Sequence, residues 1–324
     1  MRKTGKFLCT LLAAALCLCT AACGKDEGPD ASLSDNSRKI GLGCVAARVM
    51  DGKDKTAVKA TVAAVLLAAD GKILDCRVDE VEYTVRLTEG KLGDVGVLDS
   101  KRDQGDRYTL TDKDTGGSAN ADGTWRKQAD AFAAFTKGKM PGDISGLAAT
   151  DGKSDQIDGC SLVITDLIRA VRAASDAAVA CKAGAADTLH LALITEKADD
   201  ATADKPQYDT QLAAVTTSGG RLTACRTDTL QVKLTVENGA FTTASGEVQT
   251  KRAIGDAYGM KEASSLKKEW YEQANTFDAY AAGKTPAELS GLKLGADGKT
   301  DAIAGCTIGV SGLLKAAVKA AETT

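Results

Sequence analysis

The sequence predicts an α+β protein made of two tandem repeats, each an antiparallel β-meander followed by helices. Two observations carry this. Sliding the 324-residue chain against itself by 145 positions sets 125–147 upon 270–292 with 11 of the 23 residues identical. Self-similarity at a long fixed period marks a duplicated unit. Within each copy, apolar runs separated by glycine turns come before segments with helical periodicity, and strands followed by helices argue for α+β. Shared residues include Trp125/Trp270, Gln128/Gln273, Phe132/Phe277, Gly138/Gly283 and Pro141/Pro286. As the offset drifts by a few residues, Gly105-Asp106 and Tyr108 meet Gly255-Asp256 and Tyr258, Asp155 meets Asp301, Cys76 meets Cys225, and Cys160 meets Cys306.

The chain begins with a basic start (Arg2, Lys3, Lys6), an apolar run over 7–18 and small residues at Thr20, Ala21 and Ala22. These are the three parts of an export signal, here 1–22. Thr20-Ala21-Ala22-Cys23 resembles the lipobox of bacterial lipoproteins, which implies a lipid on Cys23 and a place on the outer face of the cell membrane. A leucine is usual where Thr20 stands, so release by cleavage nearby is the other reading. Residues 23–39 are polar and contain Pro29, as suits a tether. The repeats then occupy 40–182 and 183–324. Once Arg2, Lys3 and Lys6 leave with the signal, the 41 basic residues fall to 38 against 44 acidic ones, a net charge of −6. That balance argues against a nucleic-acid partner.

In each copy an apolar run (62–67; 212–215), a turn (Asp70-Gly71; Gly219-Gly220) and a run through Cys76 or Cys225 predict an antiparallel hairpin. Glu89-Gly90 and Asn238-Gly239 signal a further turn, at which another strand folds back. Trp125, Ala129, Phe132 and Phe135, like Trp270, Ala274, Phe277 and Tyr280, share one helical face that ends at Gly138 or Gly283. A last helix is expected from near Ser161 or Thr307, turning Leu167, Ile168 and Val171, or Leu313, Leu314 and Val318, inward.

Metal and triad enzymes are hard to build from this chain. Its only histidine is His190, which has no histidine counterpart in the first copy and reads as an ordinary strand residue, and no cysteines stand at C-x-x-C spacing. Asp112, Asp114 and Asp122-Gly123 lack the acid that closes a calcium loop. Gly-Lys-Thr at 283–285 and 298–300 lacks the earlier glycine of a phosphate loop.

One segment stands out: Asp155-Gln156-Ile157-Asp158-Gly159-Cys160-Ser161, and in the second copy Asp301-Ala302-Ile303-Ala304-Gly305-Cys306-Thr307. It resembles the Asp-x-x-Ser-Gly-Ala-Thr motif of the FMN-binding domain found in subunits of sodium-pumping quinone reductases and Rnf complexes and in some Gram-positive lipoproteins. The resemblance implies FMN carried on Thr307, and on Ser161 in the first copy, with Asp301, Gly305, Asp155 and Gly159 in the binding loop. FMN held without a covalent bond is a further reading, as is no cofactor. A hydroxyl at a helix start suits a phosphate, and the same hydroxyls read equally as N-caps, each contributing about 1 kcal/mol. The chain departs from the motif at its serine (Asp158, Ala304) and its alanine (Cys160, Cys306).

Six cysteines follow Cys23. Each copy holds one on its third strand and one at the motif, so Cys76 with Cys160 and Cys225 with Cys306 form candidate disulfides, each contributing about 4 kcal/mol by loop closure; buried thiols are the alternative. Cys44 and Cys181 read as free or mutually paired. Tyr258, amid glycines, is the candidate to stack on a flavin, whereas Trp125 and Trp270 lie on an apolar stripe. The expected function is a membrane-anchored flavin electron carrier working with membrane electron-transfer proteins. A surface binding or scaffolding lipoprotein without cofactor is the alternative. Either is closer to a carrier or binding protein than to a stand-alone enzyme.

Overall fold

The structure, a computed structural model, describes residues 38–117, 123–147 and 149–323. The signal, Cys23, the tether up to Ser37, and Asp122 lie outside the described residues. The protein is mixed α and β with antiparallel sheets. Strands β1 (Lys39–Asp51), β2 (Lys55–Leu67), β3 (Ile73–Thr88) and β4 (Lys91–Val95) pair in sequence order. Helices α1 (Lys101–Gln104), α2 (Asp112–Thr115), α3 (Trp125–Thr136), α4 (Pro141–Ser145) and α5 (Thr165–Asp176) follow, and the short β5 (Val179–Ala180) returns to pair with β1. Then β6 (Thr188–Lys197), β7 (Gln207–Ser218) and β8 (Arg221–Lys233) form a second antiparallel sheet. After the small hairpin β9 (Val236–Glu237) and β10 (Ala240–Phe241), and β11 (Gly246–Val248), come helices α6 (Lys251–Ile254), α7 (Trp270–Ala281), α8 (Pro286–Ser290) and α9 (Ser311–Glu322).

The turns form where the residues allow positive φ. Glu89 and Gly90 have φ of 52° and 73°, and Asn238 and Gly239 have 51° and 74°. Two successive positive values match the strand twist of a tight hairpin. The two turn tips also touch, and a Cβ on Gly90 would lie 2.9 Å from the Cα of Gly239.

The two sheets stack face to face, with helices covering their outer faces, so the layers run helix, sheet, sheet, helix. Along β2, Val58, Ala60, Val62 and Ala64 enter the central core, while Ala63, Val65 and Leu67 enter an outer one with α3 and α5. Burial on both faces is why 62–67 reads as an unbroken apolar run rather than an alternating one. The central core draws on both sheets, and the Tyr83 and Tyr208 rings meet in it at 5.5 Å. The other outer core joins Ala213, Val215 and Cys225 to Trp270, Phe277 and Leu313. The halves also exchange backbone bonds, because β11 adds to the edge of β1 with Ala46 opposite Val248.

Each long helix is locked to its sheet at Gly138 or Gly283. Gly138 N donates to Ile73 O at 2.8 Å and Ile73 N to Lys139 O at 2.9 Å; Gly283 N donates to Leu222 O at 2.6 Å and Leu222 N to Lys284 O at 2.8 Å. The glycine φ values of 78° and 87° let the chain leave the helix in the direction these bonds require. The final helices begin later than expected, at Thr165 and Ser311, with Ile164 and Val310 as N-cap residues that make no side-chain cap. No helix among the described residues is long and apolar enough to cross a membrane.

Candidate functional site

The two motif segments form the same loop. Ile157 and Ile303 are buried anchors. Cys160 N donates to Ile157 O, and Cys306 N to Ile303 O, both at 3.2 Å, across turns whose third residue is Gly159 (φ 75°) or Gly305 (φ 82°). The next residue bonds a buried glutamine of the preceding long helix. Ser161 N and Oγ donate to Gln128 Oε1 at 2.8 and 2.9 Å, and Thr307 N and Oγ1 donate to Gln273 Oε1 at 2.7 and 3.0 Å. Gln273 Nε2 in turn donates to Ser264 Oγ at 3.1 Å. Ser161 and Thr307 therefore do not sit at helix starts. Each lies four residues ahead of its helix, away from the helix-end N–H groups that were expected to favour a phosphate. Asp155 and Asp301 are exposed, as are Asp158 and Ala304.

Gln128 and Gln273, polar residues repeated on an apolar helical stripe, are the site residues that sequence reasoning passed over. Their recurrence at the same place in the two aligned segments was the available signal.

The bridges expected between Cys76 and Cys160 and between Cys225 and Cys306 are not formed: all six described cysteines are free thiols. Each expected pair does share an outer core. Burial pushes the Cys76 thiol up to about 12 and the Cys225 thiol well above its usual value, so neither is a ready nucleophile. Cys44 and Cys181 border the central core. His190 lies on β6, half-buried, with Nε2 at 2.9 Å from Thr217 Oγ1. Burial and then Arg77 lower its pKa.

Tyr108 and Tyr258 mark a place where the halves differ in charge. In the first half Lys101, 2% exposed, lies between two carboxylates, with Nζ at 2.5 Å from Glu80 Oε1 and bonded to Asp114. Asp114 also accepts from Tyr108 Oη at 2.9 Å and from Thr111 N and Oγ1. The second-half counterpart Lys251 stands the same seven residues ahead of Tyr258. Thr229 and Ser264 occupy the places of Glu80 and Asp114, and Lys251 Nζ lies over the Tyr258 and Trp270 rings at 5.3 and 5.1 Å. Burial lowers its pKa against the pull of Asp209. Tyr258 Oη donates to Gln231 Oε1 at 3.3 Å.

A groove of about 760 Å³ opens along the free edge of β8, walled by the C-terminal half of α7 and by 179–182. This falls within the usual size range of small-molecule sites. Arg226 on its wall donates through Nη1 to Asn275 Oδ1 at 2.7 Å. Asp278 beside it accepts from Thr227 N and Oγ1 and from Arg252 Nη2 at 3.0, 2.6 and 2.6 Å. None of the motif residues lines this groove.

No family model matches the chain, and no solved structure matches it. A chlorophenol reductase of Desulfitobacterium hafniense is 51% identical to it over 41 residues, which is 13% of this chain and 12% of that protein. The similarity is thus confined to about an eighth of either chain.

Proposed function

We propose that the chain is a membrane-tethered, extracytoplasmic binding protein made by duplication of one α/β unit, with its motif loops serving as structural clamps. The observation that carries this reading is the pairing of both motif hydroxyls with buried glutamines. The bonds hold the loop to the long helix in either half and account for the Ser or Thr without a cofactor, while the positive φ of Gly159 and Gly305 accounts for the glycines. The altered motif serine in both copies supports the same reading, as does a ligand-sized groove away from the loops. The export signal and the lipobox-like Thr20-Ala21-Ala22-Cys23 support a lipid anchor on the extracytoplasmic face of the cell membrane.

A second reading is a flavin electron carrier with FMN on Thr307. The motif resemblance favours it, as does the short similarity to a protein named as a reductase. The visible spectrum of the native lipoprotein, before and after denaturation, separates the two. Peptide mass spectrometry over 293–320 and over the peptide beginning at Cys23 completes the test. A colourless protein with unmodified Thr307 and a diacylated Cys23 is expected. Flavin retained on the Thr307 peptide would overturn the clamp reading.

A further inference from the structure

Arg226 differs from its counterpart in one respect that bears on a ligand. Arg77 follows Cys76 as Arg226 follows Cys225, so the two occupy equivalent places on β3 and β8. Arg77 Nε donates to Leu189 O of the other half at 3.1 Å, while its Nη2 lies 3.7 Å from Asp75 Oδ2. Strand pairing sets Leu189 opposite Thr216 and Ile40 opposite Leu66, which makes Ile40 the equivalent of Leu189. Ile40 lines the groove beside Arg226. Arg226 nonetheless turns to Asn275, and its Nε, shut from water, has no hydrogen-bond partner among the described residues. Where the first half supplies an acceptor oxygen, the second half has a groove.

The groove's charge is net positive. Lys182, Arg221 and Arg226 stand on it; Arg221 pairs with Glu288 Oε2 at 2.9 Å, and Asp278 is shared between Arg252 at 2.6 Å and Arg226, whose Nη1 lies 3.9 Å from its Oδ2. Burial and the neighbouring Arg252 lower the Arg226 pKa to about 10 against the pull of Asp278, as expected for a guanidinium taken out of water beside a second one. The rest of the wall is apolar, with Ile40, Val179, Leu222, Ala279 and Ala282.

We propose that this groove binds a small molecule that joins an apolar body to a carboxylate, the carboxylate taking the Nε and Nη2 edge of Arg226. That edge of a guanidinium matches two carboxylate oxygens in geometry. A turn of the Arg226 side chain about the Asn275 bond presents it to the groove, and the apolar body lies along Leu222 and Ala282. The assignment rests on the binding-protein reading and names the ligand class.

The test uses 2-naphthoate as probe, 2-naphthamide as its neutral isostere and inorganic phosphate as competitor, with binding to the full lipoprotein read by calorimetry. The wild type is expected to bind the acid at least about tenfold more tightly than the amide. Arg226→Gln removes that preference, Ala279→Trp, which fills the groove from an exposed position, weakens both probes, and Arg77→Gln changes neither. Circular dichroism confirms that each variant is folded. Equal affinity for acid and amide in the wild type overturns the proposal, as does an unchanged preference in Arg226→Gln or no binding of either probe. Phosphate that displaces naphthoate at comparable concentration reassigns the groove to phosphate. These failures leave the binding-protein reading standing, since that falls only if flavin is found on Thr307.

Discussion

Replacing Lys101 by methionine should destabilise the protein far more than replacing its counterpart Lys251. Lys101 is 2% exposed and neutralises Glu80 and Asp114, whose side chains are 6% and 4% exposed. Methionine leaves two buried carboxylates without their cation, which typically costs about 3–5 kcal/mol. The lower end applies, because Glu80 keeps a 2.7 Å bond from Thr61 Oγ1 and Lys59 at 3.2 Å, and Asp114 keeps Tyr108 and Thr111. Lys251 has no carboxylate within ion-pair distance among the described residues, and burial already lowers its pKa. Lys251→Met exchanges cation–π contacts of about 1 kcal/mol for relief of that burial cost and should be nearly neutral.

Urea unfolding reads both effects. With a slope of about 1–3 kcal/mol per M, Lys101→Met lowers the midpoint by about 1 M or more at unchanged slope. The deficit should shrink on acidification. In the wild type burial raises the Asp114 pKa but Lys101 pulls it below the ordinary value, so its stabilisation is present at neutral pH and is lost as pH falls through that low pKa. Without Lys101 the folded protein binds protons more tightly than the unfolded chain, and lowering the pH from 7 towards 5 restores part of the loss. Equal costs for Lys101→Met and Lys251→Met, or a deficit that grows on acidification, would refute the reasoning.

Gln273→Leu leaves the Thr307 N–H and hydroxyl without their acceptor and should cost about 2–3 kcal/mol, with faster hydrogen exchange at the Thr307 amide as the direct check; slow exchange retained there would show that Gln273 does not hold the loop. Burial raises the Asp278 carboxyl to about 6. The folded state then binds this proton more tightly than the unfolded chain, so its contribution is present below the unfolded value and lost as pH rises through 6. Between pH 7 and 4.5 the wild type should therefore gain on the order of 2 kcal/mol over Asp278→Asn, and unfolding midpoints of the pair at the two pH values measure it. Gly90→Ala puts a Cβ 2.9 Å from the Gly239 Cα at a φ of 73° and should lower stability by about 1–2 kcal/mol; a thermal midpoint equal to the wild type would mean the two turn tips do not press on each other.

How far the site was legible depended on whether its cause was local. The glycines of the motif loop, its buried isoleucines and the repeated hydroxyl could be read because each acts within a few residues. Its role was misplaced by four residues. A serine or threonine ahead of an apolar run resembles an N-cap, and the competing partner, a glutamine 33 or 34 residues earlier, leaves no mark at that distance. The charge difference between Lys101 and Lys251 was hidden for the same reason. Its acids come from another strand and another helix, and only their juxtaposition shows that one cation is paired and the other is not.

The sequence by itself determined the hairpins, the faces of the long helices and the points where those helices end, since turn residues with positive φ and 3.6-residue periodicity act on neighbouring residues. Tertiary structure alone decided that the two sheets stack on each other, that β11 crosses to β1, and that Arg77 Nε finds the Leu189 carbonyl while Arg226 Nε is left without a partner beside a groove. Strands buried on both faces read as apolar runs whichever partner covers them, and pairings between residues just over two hundred positions apart, such as Ala46 with Val248, are set by which surfaces fit once both halves have formed.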